Sequence, residues 1–171
     1  MAKYGGLYVD LDMECISDPF RKVSSPNGII LACEGCDRIS NAFMAGGESA
    51  KGFFKYLLYK LPDSAPNENS SGNPLRTTGP LVITYIVEAL INGSFRTEAG
   101  TVKSLSWKND TISARFPNVT IFDNSLVFGI RWNDTQRKHK SLDGRWVKDH
   151  FSDSASISHW TNSWGGGEIP N

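Results

Sequence analysis

Apolar residues recur along this chain in two rhythms. Leu7-Tyr8-Val9 is a short apolar run that reads as a buried strand, and the positions Met13, Cys15 and Ile16 continue it in extended form until Asp18-Pro19 stops it. Gly28 to Cys33 forms a second such run. From Ser49 to Leu61 the rhythm changes, because Phe53, Phe54, Leu57, Leu58 and Leu61 recur at spacings of three and four, which predicts an amphipathic helix. A second helix is predicted over Pro80 to Ile91: Thr77-Thr78-Gly79 introduces it, Pro80 stands where its missing N–H costs nothing, and Asn92-Gly93 stops it. Short strands are expected at Val119 to Phe122, Leu126 to Phe128 and Ile157 to Trp160. The opening Ala2-Lys3-Tyr4-Gly5-Gly6 reads as the last turn of a helix closing on glycine. Strands alternating with helices predict an α/β domain.

Residues 62–77 break both rhythms. Their centre, Pro62 to Pro74, is rich in Asn, Ser, Gly and Pro and predicts a flexible loop within what is otherwise one domain over residues 1–171. The 18 Lys and Arg balance the 18 Asp and Glu, so the large positive field that nucleic-acid binding needs is missing. No apolar run reaches the roughly 20 residues that span a bilayer, so the chain as given is expected to be soluble, and a membrane is expected only through an amino-terminal anchor missing from this sequence. The glycan acceptor pattern Asn-x-Ser/Thr occurs at Asn69, Asn92, Asn109, Asn118 and Asn133. Random placement gives about two such sites, and the excess points to a secretory lumen. The cysteines, Cys15, Cys33 and Cys36, are odd in number, which leaves at least one outside any intrachain disulfide; Cys15 could bridge to Cys33 or Cys36 in an oxidising lumen.

The chemistry-bearing residues begin with Asp10-Leu11-Asp12. In an extended segment alternate side chains share a face, so both carboxylates are expected on one side at the end of an apolar strand. Two close like charges need a cation or several donors, and oxygen ligands suit Mn²⁺ or Mg²⁺ with open positions for phosphate oxygens. The competing reading is an exposed acidic pair in a turn.

The segment Tyr4-Gly5-Gly6-Leu7-Tyr8-Val9-Asp10-Leu11-Asp12-Met13-Glu14-Cys15 resembles the DXD segment of glycosyltransferase family 32, which includes the yeast initiation-specific α-1,6-mannosyltransferase. Three further segments resemble that family in order: Ser40-Asn41-Ala42-Phe43-Met44-Ala45, Thr78-Gly79-Pro80 and His159-Trp160-Thr161-Asn162-Ser163-Trp164. The resemblance runs from Lys3 to Trp164 and is thin between Ser94 and Ser156. It implies a GT-A-like fold lacking its amino-terminal nucleotide-binding part, which leaves the flank of Leu7 to Val9 as an open sheet edge. It also implies retaining transfer of a hexose, mannose or galactose, from a GDP-mannose or UDP-galactose type of donor to a hydroxyl of a glycan or glycolipid, in the Golgi or another secretory lumen. The alternative is a non-catalytic fragment or a sugar-binding remnant of such an enzyme.

By the same resemblance Asp10, Asp12 and His159 are the candidate metal ligands. Asp12 is the better placed as a direct ligand, and Asp10 serves either the metal or sugar hydroxyls. Tyr4, Gly6, Asn41, Gly79, Pro80, Trp160, Ser163 and Trp164 are the candidate donor- or acceptor-binding residues, and no catalytic residue is assigned. Each has a plainer reading: Asn41 as an Asx-turn or cap, Gly79-Pro80 as an ordinary helix start under a Thr78 cap, His159 bonded to a carbonyl, Trp160 and Trp164 in the core. Cys33-Glu34-Gly35-Cys36 lacks a second cysteine pair for zinc, and Arg137-Lys138-His139-Lys140 reads as a solvated loop. A haloacid-dehalogenase reading of the Asp pair fails because Glu14 stands where Thr or Val is needed.

Overall fold

The computed structural model describes residues 1–18, 28–35, 37–64, 79–98, 100–129, 152 and 154–158. Its strands are β1 (Gly6–Val9), β2 (Met13–Cys15), β3 (Ile29–Cys33), β4 (Ile39–Gly46), β5 (Val102–Leu105), β6 (Val119–Phe122) and β7 (Ser156–Ser158). The helices are α1 (Lys51–Ser64), entered through a 3₁₀ turn at Glu48–Ala50, α2 (Pro80–Ile91), α3 (Asp110–Arg115) and α4 (Asn124–Val127). Five strands form a mixed sheet in the order β1-β4-β3-β6-β5, and β2 pairs with β7 in a separate antiparallel ribbon. The chain is thus a small α/β domain whose sheet is flanked by helices.

All five residues of β3 are buried, as expected of a strand covered on both faces. Its alternate side chains feed two cores. Ile29, Leu31 and Cys33 join Phe53, Phe54 and Leu57 of α1 and Val82, Ile83, Ile86, Val87 and Leu90 of α2. Ile30 and Ala32 face the other way, toward Phe43, Phe122, Leu126, Val127 and Phe128, with Met13 against them. On the helix side Phe53 meets Trp107 and Phe116, each at a ring separation of 5.9 Å. The buried Trp107 indole N–H is shared between the carbonyls of Phe116 (3.2 Å) and Pro117 (3.1 Å).

α2 starts and stops as its sequence predicts, with Gly79 as the N-cap, Pro80 opening the helix and Asn92 closing it in the left-handed conformation at φ 59°. Thr84 ties this helix to the sheet: its hydroxyl donates to the Pro80 carbonyl (2.8 Å) and accepts from the Ile39 N–H (2.9 Å) where β4 begins. The opening residues close a turn in which Gly5 N–H donates to the Met1 carbonyl (2.9 Å) with Gly5 at φ 71°. A Cβ at Gly5 would come within 2.7 Å of the Gly46 carbonyl oxygen, so glycine is required there.

Several expectations are corrected. Leu126 to Phe128 is no strand: Asp123 caps the segment by accepting from Ser125 N–H (2.9 Å), and the chain turns into α4. Pro62 to Ser64 belong to α1, because the helix continues past Leu61; residues 65–78, the rest of the polar loop, lie outside the described residues, and the cap of α2 is Gly79 without a side-chain bond, not Thr78. Cys15 is exposed and Cys33 lies in the core with no disulfide between them, which removes that bridge, while Cys36 lies outside the described residues. Finally, Leu7 to Val9, expected as a buried strand, are exposed, and the extended stretch expected to run on to Ile16 is broken by a turn after Asp10. No helix among the described residues is long and apolar enough to cross a membrane.

Thr84→Val keeps the shape but leaves the buried Ile39 N–H without an acceptor, so it should destabilise the fold by about 1–3 kcal/mol, while Thr84→Ser should cost less. Chemical denaturation of the three proteins checks this, and equal midpoints for the wild type and Thr84→Val would refute it.

Candidate functional site

β1 and β6 both run in the same direction as β3: β1 pairs antiparallel with β4, β4 antiparallel with β3, and β3 parallel with β6. Their carboxyl ends therefore lie along one edge of the sheet, where α/β folds bind ligands. Asp10 follows β1 at that edge, Glu34 follows β3, and Asp123 follows β6.

Asp10 is held by β4, since its N–H donates to the Ala42 carbonyl (3.0 Å). The chain then reverses as Met13 N–H donates to the Asp10 carbonyl (3.2 Å), with Leu11 and Asp12 at the corners of the turn. This corrects the reason expected for convergence of the carboxylates, because strand alternation does not extend through a turn. The exposure nonetheless inverts the usual pattern. Leu11 stands fully in solvent at 106% relative exposure while Asp10 and Asp12 are both half-buried.

Tyr8 shares a face of β1 with Asp10, and its hydroxyl donates to Asp10 Oδ1 at 2.8 Å. That bond, then partial burial, then the negative charge of Asp10 push the Tyr8 phenol above its ordinary value of 10.0. Tyr8 is the residue that motif reading passed over, although its place two positions before Asp10 on a strand was the available signal.

β4 carries an irregularity at this point. Leu31 pairs with Met44 and Ala32 with Ser40, so Asn41, Ala42 and Phe43 have no counterpart on β3. Ser40 Oγ supports the distortion by accepting from Ala42 N–H (3.1 Å). Bulges of this kind re-aim side chains beside functional sites. Here Asn41 lies on a strand, which sets aside its plainer reading as an Asx-turn or cap, and it lines a cavity of about 340 Å³ with Tyr8, Met44, Phe54, Leu57 and Ile83. A second, more polar cavity of about 830 Å³ runs along α2 past Asp37, Arg38, Glu88, Arg96 and Lys103. Neither cavity is lined by Asp10 or Asp12.

The turn leads directly into β2, and β2 pairs with β7 so that Met13 stands opposite Ser158 and Cys15 opposite Ser156. α4 anchors β7 from the other side: Ala155 and Ser158 N–H groups donate to the Leu126 and Phe128 carbonyls, and Ser156 Oγ to the Val127 carbonyl. The carboxy-terminal chain thus arrives beside the residue that follows Asp12. His159, Trp160, Ser163 and Trp164 themselves lie outside the described residues.

The remaining candidates are more scattered. Tyr4 is exposed with Lys3 Nζ 4.9 Å above its ring, and Gly6 opens β1 opposite Gly46. Gly79 and Pro80 begin α2, whose Thr84 bonds both the Pro80 carbonyl and the N–H of Ile39, two residues before Asn41. Asp123, which the sequence did not single out, is buried and accepts from Ser125 and from Gly100 N–H (3.1 Å), pinning the loop before β5. Among the described residues no three His, Cys, Asp or Glu side chains group around a metal position. No family model matches the chain, and neither a curated protein nor a solved structure matches it.

Because Tyr8 titrates higher folded than unfolded, the stability it lends is complete below the unfolded value near pH 10 and is lost as pH rises through the folded value. Asp10→Asn should lower the Tyr8 midpoint by removing the carboxylate charge. Absorbance titration at alkaline pH, with Tyr8→Phe subtracted to isolate this phenol, reads the shift; an unmoved midpoint would break the link between the two residues.

Proposed function

We propose that this chain is a metal-dependent retaining glycosyltransferase domain of GT-A-like architecture. The observation that supports the reading is the Asp10–Asp12 turn at the carboxyl edge, with its acids half-buried, its leucine in solvent, and β7 alongside it. The four ordered segments that resemble glycosyltransferase family 32 supply the reaction class.

Two carboxylates one residue apart are a hard-oxygen donor set that fits Mn²⁺ or Mg²⁺, and together they leave coordination positions for a diphosphate. Asp12 is the direct ligand in this proposal, with Asp10 steadied by the Tyr8 hydroxyl, and His159 completes the set. When bound, the ion stabilises the negative charge that grows on the departing diphosphate. The anomeric C–O bond breaks with its electron pair leaving on that diphosphate, and the acceptor oxygen takes its place on the same face and loses its proton. Ser163 and the Trp164 N–H close over the donor phosphates in this scheme, while Asn41 offers donor and acceptor to sugar hydroxyls. The donor is a nucleotide sugar of the GDP-mannose or UDP-galactose type, and the acceptor a glycan or glycolipid hydroxyl. A secretory lumen suits the exposed Asn92, Asn109 and Asn118 acceptor sites, although Asn109 already caps α3 through Ile112 N–H (3.0 Å).

A sugar-binding remnant without turnover is the second reading, favoured by the absence of both carboxylates from the two cavity linings. The two readings part on donor hydrolysis, which a remnant lacks even when it binds.

Replacing Asp10 and Asp12 together with Ala should abolish Mn²⁺-dependent binding of a nucleotide sugar in calorimetry, with folding intact by circular dichroism. Unchanged binding would remove the metal assignment. In the wild type, paramagnetic Mn²⁺ should broaden the amide resonances of Asp10 to Met13 and of Ser158 before those of α1. Trp164→Phe retains most of the apolar surface and loses the N–H, so a fall in kcat of roughly 100-fold or more is expected if that group serves the leaving phosphate. A change below a few-fold would assign Trp164 to packing.

A further inference from the structure

We propose that the outer edge of β1 is an interface at which a second copy of this chain adds its own β1, antiparallel, about a twofold axis through Tyr8. The hydrogen-bond phase of β1 limits the possible registers, and among them a centre at Tyr8 pairs both outward-facing residues of each copy. Gly6 to Val9 pair with Gly46 to Phe43, and the same register continued by one residue sets Asp10 opposite Ala42, to which it donates. Bonded and non-bonded pairs alternate in an antiparallel ladder, so Tyr8 and Gly6 spend their backbone groups on β4 while those of Leu7 and Val9 face outward. In a copy turned about Tyr8, Leu7 falls opposite Val9 of the second molecule and Val9 opposite its Leu7. Both outward-facing sets then meet each other.

The side chains and charges agree with the same arrangement. Leu7 and Val9 share one face of β1 and remain 44% and 39% exposed, and pairing would set them in contact across the axis with their counterparts. The strand carries no Lys, Pro or bulge of the kind that protects sheet edges. Its approach is basic at Lys3, and its exit is acidic at Asp10, Asp12 and Glu14. Antiparallel pairing brings the basic end of one copy to the acidic end of the other, where parallel pairing would stack like on like. At the same two ends the exposed Tyr4 of one copy approaches the exposed Leu11 of the other. The formal net charge of zero sets no long-range repulsion between copies.

This inference is independent of the transferase reading, and its test needs neither metal nor sugar. Sedimentation equilibrium of the full chain should show a doubling of molar mass with rising concentration, and Leu7→Lys should abolish that rise with an unchanged far-ultraviolet spectrum. The register is tested with Cys15 and Cys36 replaced by Ser. Opposed non-bonded residues lie about 4.5 Å apart at Cα, within disulfide reach, so Tyr8→Cys should oxidise to a covalent dimer. A Leu58→Cys control on the exposed face of α1 should form no covalent dimer. A wild type that is monomeric at every concentration overturns the proposal and leaves the edge to another extended segment. So does a dimer in which Tyr8→Cys cross-links no faster than Leu58→Cys, which places the contact elsewhere. Should Leu7→Lys fail to fold, the cross-linking comparison decides alone.

Discussion

Burial of β3 on both faces is the constraint from which the rest of this structure follows. A five-residue strand of Ile, Ile, Leu, Ala and Cys cannot leave either face in water, so one side recruits the two long helices and the other recruits α4 and Phe43. Its backbone must also be paired on both sides. That need is met by β4 on one edge and by β6 on the other, and β6 is parallel while β4 is not. The mixed sheet therefore sets the carboxyl ends of β1, β3 and β6 at one edge, which brings acidic residues from three distant parts of the chain to the same rim.

At that rim the two cores have different consequences. The helix-side core is rich in aromatic rings and closes through Trp107, whose N–H is fully engaged by two carbonyls. The other core is smaller and is completed by Met13 and by α4, so the short β2–β7 ribbon rests on few side chains. Backbone and hydroxyl bonds make up the difference: Ser154 and Ser156 both donate to carbonyls of the α4 segment. A ribbon anchored by hydrogen bonds more than by apolar area opens locally at lower cost than the helix side, and this ribbon is the segment that borders the candidate site.

The two long helices were legible because their apolar spacing and end signals act locally: Pro80, Asn92 and the Phe53 to Leu57 stripe need no knowledge of the fold. β4 was not, since Ser40 and Asn41 interrupt its apolar run at the very residues where it departs from β3. Leu126 to Phe128 misled for the opposite reason. Three apolar residues suit a buried strand or a buried helical turn equally, and the Asp123 cap decides for the turn. The acidic pair was found by its residues, while its geometry was misjudged, because the single bond from Met13 to Asp10 that reverses the chain has no signature in Leu11 or Asp12 themselves. Tyr8 joined the site only once the strand face it shares with Asp10 was known.

The site's position depends on the sheet's outermost strand, and that dependence runs through β4. Asp10 is fixed by Ala42, and Ala42 belongs to the three residues that leave β3, so the carboxylate turn hangs on the irregular part of β4 and not on the central strand. β1 has β4 as its one strand neighbour among the described residues. Whatever pairs with the free edge of β1 would restrict its twist, and with it the direction from which Asp10 enters the turn. Edge occupancy and carboxylate geometry are thereby mechanically linked through a strand of four residues, in which Tyr8 bonds Asp10 with its side chain and β4 with its backbone.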